Sequence, residues 1–116
     1  MENCTFALMM LGSSDLERSV RFYTEVLGLR ESGRSGGFVF FDTGATTLAV
    51  TQEFAPAAPG DRSHECVFGV RSVGQAYDEL RHRIAFVNEP RPVNAQAWAV
   101  NFADPDGHQL SFYGPE

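Results

Sequence analysis

The sequence predicts an α+β fold of two tandem β-α-β-β-β modules forming a curved mixed sheet around a cavity. Three observations predict it. Strand-like and helix-like periodicities follow one another in the same order twice within 116 residues. The halves also register: Leu8 maps onto Glu65, Leu11 onto Phe68 and Asp15 onto Ser72 at an offset of 57, and Leu48 onto Leu110 and Ala49 onto Ser111 at 62. Finally, each module has one helix for one sheet, which leaves a sheet face uncovered, and two such faces would curl around a shared space.

Residues 5–11 (TFALMML) read as a strand apolar on both faces. Ser14-Asp15-Leu16-Glu17 follows as a capping box with Ser14 as N-cap. Leu16, Ser19, Val20, Phe22, Tyr23 and Leu27 then stripe a helix of about three turns, closed by Gly28. Strands are expected around 29–33, 37–42 and 46–52, separated by Gly33-Arg34-Ser35-Gly36-Gly37 and Asp42-Thr43-Gly44. The Pro- and Ala-rich stretch 53–63 is a linker. The order then recurs: a strand at 65–71, a helix capped by Ser72 and striped by Val73, Tyr77, Leu80 and Ile84, then strands at 86–89, 96–103 and 108–113. Pro90 and Pro92 hold the stretch between to a loop or an edge. Residues 1–116 thus read as one domain, with module one at 1–52, the linker at 53–63 and module two at 64–116.

Composition narrows the function. The formal net charge is −6, so a nucleic-acid partner, which needs clustered positive charge, is not expected. A cationic ligand would be electrostatically favoured. All nine basic residues are Arg, and with no Lys a Schiff base is excluded. No apolar run approaches the ~20 residues of a membrane span, and no basic-then-apolar leader pattern opens the chain. No membrane partner and a cytoplasmic location are therefore expected. Cys4 and Cys66 read as small buried hydrophobes. Gly33-Arg34-Ser35-Gly36-Gly37 matches GxSxG, yet a strand follows it where a nucleophile elbow needs a helix, so it reads as a hairpin turn.

Two motifs carry a resemblance. Asp15-Leu16-Glu17-Arg18-Ser19-Val20-Arg21-Phe22-Tyr23, with Val26-Leu27-Gly28-Leu29, resembles the first-helix signature of the vicinal oxygen chelate superfamily, which groups glyoxalases, bleomycin-resistance proteins and extradiol dioxygenases. Asp104-Pro105-Asp106-Gly107-His108, followed by Leu110 and Phe112, is similar to that family's final turn and strand. In metal-dependent relatives four strand positions converge on one divalent ion. The resemblance places them here at Leu8, Ala49, Glu65 and Ser111, of which Glu65 alone is a competent ligand. His64 could join it only by a one-residue register slip, His82 lies on the polar side of helix two, and His108 sits in the last turn. No cofactor is therefore expected, with a divalent Zn, Ni, Mn or Fe ion as the lesser alternative, held by Glu65 and His64.

Strand parity points to the remaining site residues. Glu65, Val67 and Gly69 alternate away from Cys66, Phe68 and Val70, which places Glu65 on the cavity face beside Leu8 and Met10. A carboxylate desolvated there suits proton transfer, making Glu65 the catalytic candidate, or pairing with a ligand cation. Its other reading is a solvated residue closing the linker. The expected ligand-binding set is Leu8, Met10, Phe40, Ala49, Glu65, Trp98, Asn101, Gln109, Ser111 and Tyr113, with Ala99 on the same face. Trp98 shares parity with Val100 and Phe102, which favours packing, but it lies near the rim. Phe38, Phe40 and Phe41 cannot all face one way. The resulting expectation is a metal-free small-molecule-binding protein holding an aromatic or cationic ligand. The alternative is a metal-dependent lyase, isomerase or dioxygenase of the same superfamily. The resemblance further implies a homodimer, and the linker is long enough for modules to be exchanged.

Overall fold

The computed structural model describes residues 4–61 and 63–116. Residues 1–3, at the head of module one, and Arg62, in the expected linker, lie outside the described residues. Two compact units emerge, Met1–Ala57 and Ala58–Glu116, with their boundary inside the 53–63 stretch.

In unit one, β1 (Leu8–Gly12) leads to α1 (Leu16–Arg21), a π-helical segment (Phe22–Val26), β2 (Arg30–Ser35), β3 (Phe38–Asp42) and β4 (Thr47–Thr51). The sheet order is β1-β4-β3-β2, with β1 parallel to β4 and the other pairs antiparallel. Unit two repeats this with β5 (Cys66–Gly69), α2 (Val73–Leu80), β6 (Arg91–Pro92), β7 (Trp98–Ala103) and β8 (Gln109–Gly114), in the order β5-β8-β7-β6. Register obeys the sequence offsets. Met9 stands opposite Leu48 and Cys66 opposite Leu110, which are 57 and 62 positions on.

The helices are set by their caps. Asp15, extended at φ −146°, accepts from the Arg18 N–H, and Ser72 accepts from the Gln75 N–H. These caps lie 57 positions apart, so the N-cap is Asp15 rather than the expected Ser14; the Ser14 hydroxyl instead accepts from the Arg18 guanidinium. The first helix does run about three turns, but its second half is widened. The Thr24 hydroxyl donates to the Val20 carbonyl, and the Leu27 N–H reaches back to Phe22. Gly28, at φ 75°, turns the chain out of it.

One face of each sheet is covered by its helix. In unit one Leu11, Val20, Val39, Phe41, Leu48 and Val50 are buried there, with the Tyr23 and Phe41 rings 5.6 Å apart. In unit two Phe86, Phe102 and Phe112 cluster with Tyr77 at centroid distances of 4.7–6.2 Å. Each fully buried large side chain contributes about 1.5–3 kcal/mol.

Other expectations are corrected. Strand pairing starts at Leu8, because the Phe6 and Ala7 carbonyls are taken by the Thr46 hydroxyl. Cys4 precedes the ladder and is exposed, not buried. Phe22 is half-buried rather than core. Residues 86–89 form no strand. Phe86 turns into the aromatic cluster and Asn88 uses its side chain to accept from the Asn101 N–H, so pairing begins only at Arg91. Helix two ends at Leu80, which leaves His82 in the following turn, exposed. The GxSxG match is a hairpin turn as expected, with β2 continuing through Ser35 to a Gly36-Gly37 turn.

Candidate functional site

The sheet faces away from the helices carry the expected residues other than Trp98. On sheet one, Met10 stands opposite Ala49 and Ala49 opposite Phe40, in one row across three strands. Leu8, two residues before Met10, shares this face. The Phe38 and Phe40 rings stack on it at 6.4 Å, while Phe41 turns to the helix. This face is apolar, with Ala49 fully buried and Leu8 and Met10 about one-third exposed at 36% and 37%.

On sheet two, Asn101 stands opposite Ser111 and Ala99 opposite Tyr113, with Val67 beside Ser111 and Gln109 opposite Ala103. Here the chemistry is polar. Glu65, just before β5, accepts from the Ser111 hydroxyl on one oxygen and from the Asn101 amide on the other, both at 2.9 Å. Asn101 in turn accepts at Oδ1 from Arg91 Nη1 at 2.7 Å and from Asn88 Nδ2 at 3.0 Å. Its backbone N–H donates to Asn88 Oδ1 at 2.9 Å. Gln109 donates to the Asp61 carbonyl at 2.6 Å, and Asn94 to the Tyr113 hydroxyl at 3.4 Å. A small pocket of about 150 Å³ lies at one end, lined by Asp61, Val87, Asn101, Ala103 and Gln109 among others.

Glu65 is exposed, so the expected desolvation is not met, although its carboxylate is held on this face by Ser111 and Asn101. Trp98 faces with Val100 and Phe102, on the other side of the sheet from Asn101 and Ser111, and is not brought to them. Cys66 also points away from the polar row, and burial pushes its thiol up, followed by the negative charges of Asp104 and Glu65. A protonated thiol is a poor nucleophile. Sequence reasoning missed Asn88 and Arg91, though β-parity with Ala99 and Asn101 would have found Arg91 had β6 been placed at 91–92.

Among the described residues, the four positions that the resemblance points to do not make up a ligand set for a divalent ion. Of the four positions that the family uses, Leu8 and Ala49 supply no donor, and Ser111 spends its hydroxyl on Glu65. His64 is exposed, with Nδ1 against the Ser63 hydroxyl at 3.0 Å. Among the described residues no three His, Cys, Asp or Glu side chains group in a way that could hold a metal.

Comparison with known proteins agrees with this architecture. The sequence profile of the Glyoxalase/Bleomycin resistance protein/Dioxygenase superfamily matches residues 5–112. A glyoxalase/bleomycin resistance protein/dioxygenase from Nocardioides is 26% identical, with a TM-score of 0.79 over 97% of this chain and 84% of that one. TnmS3, an antibiotic binding protein from Streptomyces sp. CB03234, is 23% identical, with a TM-score of 0.81 over 100% and 99%. A lactoylglutathione lyase from Agrobacterium tumefaciens is 19% identical, with a TM-score of 0.76 over 97% and 95%. The duplicated sheets, their register and the profile match together place the chain in the Glyoxalase/Bleomycin resistance protein/Dioxygenase superfamily, with that superfamily's fold.

Proposed function

We propose that this chain is a small-molecule-binding member of the superfamily that works without a protein-held metal and takes a ligand with a cationic or aromatic part. The observation that carries the reading is Glu65. It is an exposed carboxylate fixed by Ser111 and Asn101 on the uncovered face of sheet two, where a metal centre would need further ligands. A carboxylate oriented by two hydrogen bonds keeps lone pairs for a ligand cation. Within sheet one by itself, the stacked Phe38 and Phe40 are a separate apolar surface of the kind that takes aromatic groups. The fold relative from Streptomyces, an antibiotic binding protein, is in keeping with a binding role for this architecture. The protein is proposed to act as a cytoplasmic homodimer, and a sedimentation run at micromolar concentration giving only the 12.8 kDa species would remove the dimer.

Elemental analysis and calorimetry test the central reading. Purified protein is expected to carry no stoichiometric Zn, Ni, Mn or Fe, and binding of benzylamine, a cationic aromatic probe, is expected to be unchanged by EDTA. Glu65→Gln is expected to weaken that binding about tenfold or more. Near-stoichiometric metal that Glu65→Gln removes would replace this reading with a metal-dependent lyase, isomerase or dioxygenase.

A further inference from the structure

We infer that the uncovered face of sheet two is a two-pole site for a zwitterionic small molecule, with Arg91 receiving its carboxylate and Glu65 its ammonium group. The inference rests on the binding role proposed for this face and specifies the ligand that it takes.

Arg91 pairs in register with Ala99, so it shares the sheet face of Asn101, one row away. Among the described residues, Asn101 Oδ1 is the one hydrogen-bond partner of its guanidinium, at 2.7 Å. A guanidinium carries five N–H donors in a fork that matches a carboxylate, and most of that fork is unspent here. Two arginines of unit one are used differently. Arg30 pairs with Asp42 at 2.7 Å, and Arg34 grips Glu31 through two nitrogens while also reaching Glu17. Arg91 has no such carboxylate among the described residues, so its charge stays available.

Asn101 keeps the two poles apart. Arg91 has only donors and an ionised Glu65 only acceptors, so the amide must turn its oxygen to Arg91 and its nitrogen to Glu65. Asn88 supports that orientation by donating to Asn101 Oδ1, its own amide being oriented by accepting from the Asn101 backbone N–H. The charges are therefore bridged by one carboxamide, which sets the guanidinium and carboxylate no more than about 8 Å apart. Glu65 accepts one bond on each oxygen, and a carboxylate offers about four lone-pair sites, so it can still accept from an ammonium group. Opposite charges held on one face without direct contact match a molecule that carries both charges across a short spacer.

The test is a ¹H–¹⁵N NMR titration of the full chain with three probes: 4-(aminomethyl)benzoate, benzylamine and 4-methylbenzoate. The zwitterion is expected to bind at least about tenfold tighter than either singly charged probe, with the Arg91 and Asn101 side-chain signals moving. Arg91→Gln is expected to erase its advantage over benzylamine, and Glu65→Gln its advantage over 4-methylbenzoate. Arg91→Lys, which keeps the charge and loses the fork, is expected to leave part of the advantage and serves if Arg91→Gln misfolds. Equal binding of the zwitterion and benzylamine, no effect of either Arg91 variant, or no saturation below about 20 mM overturns the two-pole site. Equal binding with Glu65 still required leaves the proposed binding function standing. Stoichiometric metal at Glu65 instead overturns that function first.

Discussion

Sheet one and sheet two share strand order, register and a helix-covered apolar face, but their uncovered faces carry opposite chemistry. On sheet one the row is Met10, Ala49 and Phe40; at the matching positions of sheet two it becomes Val67, Ser111 and Asn101. Unit one spends Arg30 and Arg34 on its own carboxylates, whereas unit two bridges Arg91 to Glu65 through an amide. After duplication, the covered face is held to apolar packing by the helix above it. The uncovered face has no such constraint and is where the copies differ. What the units share is the packing that stabilises each of them, and what differs is the face to which ligand recognition is proposed to fall.

The covered faces can be tested for equivalence. Tyr23→Ala in unit one and Phe102→Ala in unit two each remove a ring buried at the centre of its core and are expected to cost about 3–5 kcal/mol in chemical denaturation. A loss below about 1 kcal/mol in either would break the equivalence. A smaller effect should separate the units. A Cβ on Gly12 would lie 1.9 Å from the Ala55 carbonyl oxygen, while one on Gly69, 57 positions on, meets nothing within 4 Å. Gly12→Ala is therefore expected to cost about 2–3 kcal/mol and Gly69→Ala less than about 1 kcal/mol, read from the same unfolding curves.

The caps come next. Asp15→Ala is expected to cost about 1 kcal/mol. Ser72→Ala should cost somewhat more, because the Ser72 hydroxyl also donates to the Glu116 carbonyl at 2.7 Å. Equal Tm shifts would mean that this extra bond contributes nothing.

The smallest effect is acid sensitivity. The Arg34 guanidinium hydrogen-bonded to Glu31 holds that carboxyl below its usual range, and the Gly44 N–H, then Arg30, does so for Asp42. In unit two the Ser63 N–H, then its hydroxyl, does the same for Asp61. A carboxylate lowered on folding adds stability above its unfolded pKa, about 4, and loses it as pH falls through the folded value. Both units should weaken below about pH 4, unit one slightly more, as followed by NMR titration of the three carboxyls. All three are solvent-exposed, so a flat profile in moderate salt would show that screening removes the effect.

Most of the architecture was legible because it rests on local chemistry repeated twice. Apolar runs and the turn residues between them placed seven of the eight strands, and two offsets set the parity of Met10, Ala49, Asn101 and Ser111 correctly. What escaped the sequence depends on long-range competition. Residues 86–89 have strand-like composition, but Phe86 gains more by joining Phe102 and Phe112 than by laddering. That choice moves β6 to Arg91–Pro92 and brings Arg91 onto the polar face. Trp98 followed its parity rather than its position near the rim, and the offset that maps Asp15 onto Ser72 already contained the correct N-cap.

Pro92 in β6 has a consequence for assembly. The far edge of sheet one, β2, is six residues long and is protected by Arg30, Glu31 and Arg34 and by an irregularity between Glu31 and Gly33. The far edge of sheet two is two residues long, and one of them has no N–H to offer an incoming strand. One copy guards against edge-to-edge polymerisation with charge and a bulge, the other by ending the ladder. Extending β6 by replacing Pro92 would therefore give sheet two a longer pairing edge with Arg91 in place of the three charges that guard sheet one, and the first symptom would be aggregation on storage rather than a lower melting point.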